Sequence, residues 1–201
     1  MAMIAKLADL KTRLGIAGSA QDNTLTQILK DVGAMFDTHC NRTLLYSASD
    51  ETEYFDGDVG ELLLRRWPIV SITSVKEDDD QDWANATALT LNSDYRRHDP
   101  RGRLIRLPDD TRWLAGPNTV QVIYKGGYND PAEAAIAGVS YVPERIQQAA
   151  LLQAQFGWER RNQMSQASTS PVGGAGGVVS TQSEYGMLRQ VREMLASERR
   201  L

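Results

Sequence analysis

The sequence contains few of the residues on which metal sites and covalent catalysis depend. Its 201 residues include one cysteine, Cys40, and two histidines, His39 and His98. A single cysteine excludes an intramolecular disulfide and a zinc-binding cysteine cluster, and it suits a reducing compartment. Adjacent residues on a helix point about 100° apart, so His39 and Cys40 are more typical of the end of a core helix than of a metal-ligand pair or a nucleophile with its base. We therefore expect no metal, no cofactor and no thiol chemistry.

Long apolar runs and a basic excess are also absent. No stretch approaches the roughly 18 uninterrupted apolar residues of a membrane span, and residues 1–16 mix charged with apolar residues, unlike a signal peptide. The 22 lysines and arginines stand against 26 acidic residues, giving a net charge of −4. Proteins that grip duplex DNA usually carry a basic excess, because neutralised phosphates supply most of the affinity. The composition disfavours DNA binding as the main function, and it predicts a protein that folds in the cytosol without a membrane partner.

Motifs for nucleotide binding and hydrolysis are missing as well. No glycine-rich segment combines a preceding strand with a following Lys-Ser/Thr, and there is no Gly-x-Ser-x-Gly elbow. A hydrolase or cation site built on Asp56, Asp58 and Glu61 is one alternative, but an Asp-Gly-Asp sequence is typical of a turn. The acidic run 77–82 lacks the turn glycine and distal glutamate of an EF-hand loop, so we interpret it as a solvated loop. We predict that the chain is not an enzyme.

Apolar residues at helical spacing predict three helices. The segment from Leu25 to Cys40 has apolar residues at the i, i+3, i+4, i+7 spacing of one buried stripe. Gly15 supplies a stop for the first helix, Asp22 a cap for the second, and Pro143 a first helical position for the third. The third helix is apolar on more than one face, which predicts a central position in a bundle. The predicted helices cover residues 3–15, 22–41 and 143–162.

The region between these helices, about residues 50–128, has the pattern of strands and turns. It is rich in β-branched residues, its apolar residues partly alternate, and its runs are separated by turn residues. The predicted strands cover residues 53–55, 61–64, 69–75, 88–91, 102–107 and 119–124. The fold class predicted from the sequence is α+β. It is an α-helical bundle formed by two N-terminal helices and the long helix near 143–163, with an inserted, mostly antiparallel β-region and a C-terminal arm.

Residues 164–201 differ in composition from the rest of the chain. Residues 164–182 are rich in Ser, Thr, Gln and Gly and gain too little burial to offset their ordering entropy, so they predict a flexible tether. Residues 183–201 predict a short amphipathic helix, which needs a surface to dock on because an isolated helix of this length is marginal in water. Residues 1–163 are accordingly predicted to form a single domain. The candidate interface residues of the arm are Tyr185, Met187, Leu188, Arg189, Val191, Arg192, Met194 and Leu195.

Five arginines in one predicted β-hairpin form a second candidate surface. They are Arg96, Arg97, Arg101, Arg103 and Arg106. Such a cluster could contact DNA phosphates or an acidic partner. The other interpretation is the solvent face of a strand pair, balanced in part by Asp94, Asp99 and Asp109. The first interpretation supplies an alternative function: a DNA-binding packaging or regulatory protein with a steep dependence on salt.

The order of short motifs over roughly residues 4–163 resembles the head–tail connector proteins of long-tailed phages, also called adaptor or head-completion proteins. The resemblance rests on these segments: Leu10–Ile16, Asp22–Leu25, Cys40–Arg42, Leu62–Leu64, Trp67–Ile69, Ser71-Ile72, Ser74-Val75, the strand 120–125 with Gly126-Gly127-Tyr128, Val142–Ile146, and Arg160-Arg161. The arm beyond residue 164 matches none of the family's motifs.

The resemblance implies a structural virion protein without catalysis. Such a protein is assembled in the host cytoplasm and forms a ring on the portal after DNA packaging, with twelve subunits to match the portal. The ring extends the DNA channel and offers a docking surface to a stopper or tail-completion protein, and packaged DNA passes through it without specific recognition. In this family a C-terminal arm commonly grips the portal, so the position of residues 183–201 implies that role for them here.

Overall fold

The computed structural model describes residues 3–98, 101–161 and 186–200. The helices within these ranges are α1 (Leu7–Leu14), α2 (Asp22–Cys40), α3 (Glu144–Arg160) and α4 (Arg189–Leu195), and α4 continues into a 3₁₀ turn at Ala196–Glu198. The strands are β1 (Glu51–Phe55), β2 (Glu61–Leu63), β3 (Ile69–Glu77), β4 (Tyr95–His98), β5 (Arg103–Arg106) and β6 (Val120–Gly126). The α+β class predicted from the sequence, with helices flanking an antiparallel β-region, is confirmed.

Local interactions set the ends of the helices. α1 ends where Gly15 adopts a φ of 67°, a left-handed conformation that glycine reaches without steric cost. α2 begins at Asp22, but the predicted cap is wrong: the Asp22 carboxylate accepts a hydrogen bond from Lys11 Nζ at 2.6 Å and makes no capping bond. α3 begins at Glu144, so Pro143 lies just before the helix rather than at its first position.

The helices share one apolar core. α2 packs along α3, and α1 and α4 contact α3 as well. The central position predicted for the third helix is therefore confirmed. The fully buried side chains of this core include Leu10, Leu25, Leu29, Phe36, Cys40, Ile146, Ala149, Ala154, Val191 and Leu195.

Two three-stranded antiparallel sheets form the β-region. The first has the strand order β1-β6-β3 and the second β2-β5-β4. The centre of the first sheet is β6, where Val120, Val122 and Tyr124 are fully buried. These side chains belong to a second core together with Leu64, Val75, Leu104 and Trp113.

The predicted strand at residues 88–91 is wrong. Only isolated bridges occur in this segment, between Ala88 and Lys76 and between Leu91 and Tyr95. Ala88 and Leu91 are exposed, and Leu89 alone packs against the second core. One half-buried side chain offers too little burial to hold a strand on the sheet, because strand stability depends on packing against neighbours.

A close backbone approach joins the helical core to the β-region. Tyr128 follows β6, and its N–H donates to Leu44 O at 2.8 Å while its carbonyl accepts from Tyr46 N at 2.8 Å. Gly127 has a φ of 100°, and a Cβ there would lie 2.7 Å from the backbone of Leu45. Glycine is therefore required at this crossing.

The predicted tether, residues 164–182, lies outside the described residues, as do 183–185 and 201 of the predicted arm. The division into a domain at 1–163, a tether and an arm stays a prediction. None of the described helices is both long enough and apolar enough to span a bilayer.

Candidate interaction surfaces

The C-terminal segment, residues 186–200, is seated on the helical core of its own chain. Met187, Val191 and Leu195 are buried. The backbone N–H of Leu188 donates to Gln153 Oε1 of α3 at 2.9 Å. The apolar side of the predicted amphipathic helix is therefore covered by this chain.

The end of this segment also reaches the β-region. The N–H of Arg200 donates to the carbonyl of Cys40 at 2.8 Å, and its guanidinium donates to the carbonyl of Leu63 at 2.5 Å. Ser197 accepts a hydrogen bond from Arg145 of α3. The last residues of the chain thus hold the end of α2, α3 and β2 together.

The buried arginine Arg42 lies next to the C-terminal segment and contacts Glu198. The Arg42 guanidinium stacks on the indole of Trp67, with 3.1 Å from Cζ to the ring centroid, and faces the ring of Tyr128 at 5.5 Å. Arg42 Nη2 donates to the carbonyl of Trp67 at 2.8 Å, and Nη1 lies 3.6 Å from Glu198 Oε2. Burial lowers the pKa of Arg42, whereas Tyr128 and Glu198 raise it. Trp67 is itself buried, and Glu198 of the C-terminal segment therefore faces a buried cation.

The candidate arm residues therefore differ in what they can offer a partner. Met187, Val191 and Leu195 are buried, Leu188 and Met194 are half-buried, and Arg189 and Arg192 are exposed. The Arg189 side chain is 93% exposed and pairs with Glu193 one turn away at 3.1 Å. Tyr185 lies outside the described residues. Portal binding by these eight residues stays a prediction.

The arginine hairpin consists of β4, β5 and the turn between them. Arg96 pairs with Asp109 at 3.1 Å and Arg103 with Glu61 at 2.8 Å. Arg106 is half-buried, pairs with Glu77 at 3.1 Å and donates to the carbonyl of Asp94. Arg97 and Arg101 are exposed. Much of the cluster is thus paired with carboxylates of this chain, as the solvent-face interpretation expects.

Two of these arginines meet two from the C-terminal segment around a small cleft. We name this the arginine cleft, formed by Arg101, Arg103, Arg199 and Arg200 with Leu63 and Trp67 at its base. Its volume is about 120 Å³. The sequence does not indicate this cleft, because its two halves lie almost 100 residues apart and no periodic pattern relates them.

The carboxylates considered for hydrolysis are engaged in turns and ion pairs. Asp56 accepts the N–H of Asn118 at 2.9 Å, Asp58 pairs with Arg112 at 3.3 Å, and Glu61 pairs with Arg103. Each carboxylate has a structural partner, which agrees with a turn and not with an acid–base pair.

The acidic run forms an exposed loop after β3. Asp78, Asp79 and Asp80 bring one carboxylate oxygen each within 4.8 Å of the others. The N–H of Asp80 donates to Asp78 Oδ1 at 2.8 Å, which accounts for this grouping as a local turn. We name residues 78–82 the acidic loop; its carboxylates are Asp78, Asp79, Asp80 and Asp82.

His39 and Cys40 lie at the end of α2 and do not form a catalytic pair. Burial raises the pKa of the Cys40 thiol to about 11, so it is protonated at neutral pH. Partial burial and the nearby Arg199 and Arg192 lower the pKa of His39. The interpretation of the pair as the end of a core helix agrees with this geometry.

Similarity to known proteins is confined to solved structures. No protein-family model and no curated protein sequence match this chain. The structure is similar to a chain of the virion of a native gene transfer agent (GTA) particle, with a TM-score of 0.60 and 17% identity over 98% of this chain and 90% of that chain. It is also similar to a chain from the neck of an empty GTA particle computed with C6 symmetry, at a TM-score of 0.58 and 15% identity over the same shares. A chain from the neck of a native GTA particle computed with C12 symmetry gives 0.51 and 14% identity, again over 98% and 90%. At these identities the similarity establishes a shared fold.

Proposed function

We propose that this chain is a structural protein of a phage-like particle, a head–tail adaptor that forms a ring on the portal. The observation that carries the proposal is the shared fold, which extends over almost the whole of this chain and of chains from particle necks. A likeness of this extent covers the helices, the β-region and the chain end together. The motif order that resembles head–tail connectors supports the same assignment independently.

In this proposal the chain acts by binding and not by catalysis. The ring extends the DNA channel and presents a docking surface to a stopper or tail-completion protein, and the protein resides in the virion. The carboxylate of Asp56 serves a turn, that of Glu61 an ion pair, and the Cys40 thiol is buried. DNA passes through the ring without specific contacts, which suits a chain with a net charge of −4.

The exposed side of α4 is the part of the C-terminal segment that we assign to the portal. Its apolar side stabilises the chain itself, so deletion of the segment would open the helical core as well as remove the contact. Charge reversal at Arg189 and Arg192 avoids this problem, because both side chains are exposed.

The experiment is a head-completion assay with the full-length R189E/R192E variant. We expect a folded protein that completes portal-bearing heads poorly. The control is R112E, since Arg112 is also exposed and paired with a neighbouring carboxylate but lies in the β-region. Equal completion by both variants would refute the role of α4. The adaptor assignment itself would then be tested by the mass of the complex with the portal.

The DNA-binding alternative makes a different prediction for the arginine hairpin. If the hairpin gripped duplex DNA, affinity would fall steeply with salt, by about one power of salt concentration for each phosphate contact. Arg96, Arg103 and Arg106 already pair with carboxylates. We therefore expect weak duplex binding even at low salt.

A further inference from the structure

The arginine cleft has a positive charge excess in an acidic protein. Arg101 and Arg199 are exposed, and within the described residues neither side chain forms a hydrogen bond or an ion pair. Arg103 pairs with Glu61, which is itself about half exposed, and Arg200 bonds the carbonyl of Leu63. Glu198, the nearest other carboxylate of this segment, faces Arg42 and Arg145. The charge of Arg200 also acts on the buried carboxyl of Glu53. The four guanidinium groups of the cleft outnumber Glu53 and Glu61, the two described carboxylates that interact with them, so the cleft keeps a positive excess.

The cleft suits carboxylates by chemistry and by shape. A guanidinium binds a carboxylate through two parallel hydrogen bonds. A volume of about 120 Å³ admits one or two acidic side chains. A duplex backbone would instead need an open basic surface, because its charges are spread along the helix.

The acidic loop lies at the other end of the β-region. Trp67, at the base of the cleft, precedes β3, and the acidic loop follows the end of β3. Nine residues of strand separate the two features, which corresponds to about 25 Å. The ion pair between Arg106 and Glu77 marks the loop end of the sheet, away from the turn that carries Arg101. The loop cannot reach the cleft of its own chain.

We propose that the arginine cleft of one copy binds the acidic loop of a second copy. The cleft carries four guanidinium groups, of which only Arg103 pairs with a carboxylate in an ion pair, and the acidic loop carries four carboxylates, so the charges of the two surfaces are complementary. Because the surfaces differ and lie at opposite ends of the β-region, the contact is head-to-tail, and repetition of such a contact closes into a ring when the rotation permits. This inference rests on the proposed ring-forming function and identifies the lateral contact of that ring.

Charge reversal and its rescue test the pairing in the full-length protein. We expect R101E/R199E, and separately D79K/D80K, to weaken self-association by roughly tenfold or more, because like charges then face each other. Combining the two sets restores it. The control is K6E, an exposed reversal at the start of α1. Self-association is measured by native mass spectrometry, alone and on portal rings.

Cross-linking gives a readout that does not depend on affinity. Mixing R101C with D79C under oxidising conditions yields a covalent dimer, whereas neither variant alone does, because the contact joins two different surfaces. The native thiol does not interfere, since Cys40 is fully buried. Absence of the mixed dimer, with or without portal, overturns the inference.

The outcomes separate the inference from the proposed function. Wild-type protein that joins the portal in a ring, with R101E/R199E behaving like K6E, overturns the loop-to-cleft contact and leaves the adaptor role intact. Loss of duplex binding in R101E/R199E without any loss of self-association assigns the cleft to DNA phosphates and also overturns the contact. Rescue by the combined reversal supports the inference.

Discussion

The guanidinium of Arg42 lies flat on the indole of Trp67, 3.1 Å from its centroid. Arg42 follows α2 and Trp67 precedes β3, so this pair links the helical core to the β-region. Glu198 reaches the same cation from the C-terminal segment at 3.6 Å. Three parts of the chain therefore depend on one buried charge.

Replacement of Arg42 should destabilise the fold severely. We expect R42A to lower the free energy of unfolding by about 3 kcal/mol or more, because it removes the stacking and leaves Glu198 without its buried partner. Urea unfolding followed by tryptophan fluorescence measures the change. R189A, at a side chain that is 93% exposed, should cost no more than about 0.5 kcal/mol. Equal effects of the two would contradict the role given to Arg42.

The apolar side of α4 should protect the thiol of Cys40. We expect L195A to cost about 3 kcal/mol through the cavity it leaves and to speed the labelling of Cys40, whose carbonyl accepts the N–H of Arg200. Labelling with a thiol reagent at neutral pH checks this, with R189A as the control on the exposed side of the helix. A labelling rate unchanged by L195A would mean that the C-terminal segment does not cover α2.

Glu53 should make the stability of the protein depend on pH. Burial raises the pKa of this carboxyl above its ordinary 4.5, although hydrogen bonds from Tyr124 and the N–H of Arg65 lower it in part. The folded state therefore holds the proton more tightly than the unfolded state, and this contribution to stability is lost as pH rises from 4.5 through the raised value.

We expect E53Q to gain stability relative to the wild type as pH rises from about 4 to about 7, since the amide oxygen can still accept both hydrogen bonds. Unfolding titrations at both pH values test this. A constant difference between the two proteins would show that Glu53 has the same pKa in the folded and unfolded states.

Replacement by alanine should change stability differently at Gly57 and Gly60, two glycines three residues apart. A Cβ at Gly57 would lie 1.6 Å from the carbonyl oxygen of Leu114, whereas a Cβ at Gly60 would meet no atom within 4 Å. We expect G57A to cost about 2 kcal/mol or more and G60A to be close to neutral. Thermal unfolding of both variants measures the difference, and similar melting temperatures would refute the close packing of the Asp56–Asp58 turn.

Periodic patterns predicted the elements that bury a regular stripe. The stripe from Leu25 to Cys40 gave α2 within one residue, because helix stability comes mainly from packing an apolar face. Residues 88–91 are also mostly apolar, but only Leu89 among them packs against the second core, and they form no strand. The predicted cap at Asp22 was wrong because its carboxylate accepts a hydrogen bond from Lys11. Lys11 belongs to α1, so the local sequence around Asp22 does not indicate this contact.

Contacts between distant segments could not be predicted. The amphipathic pattern of the C-terminal residues indicated a docked helix but not the surface on which it docks, and Met187, Val191 and Leu195 lie on the chain's own core. The arginine cleft and the pairing of Arg42 with Glu198 arise only where the fold brings residues together. The local sequence does not indicate such tertiary contacts.

The most direct test of the adaptor assignment is the mass of the full-length protein, measured by native mass spectrometry alone and with portal rings from the same particle. The proposed function predicts a complex in which the protein adds to the portal in matching stoichiometry, whether the free protein is a monomer or a ring. A stable small oligomer that ignores the portal, together with steeply salt-dependent binding to duplex DNA, would contradict it.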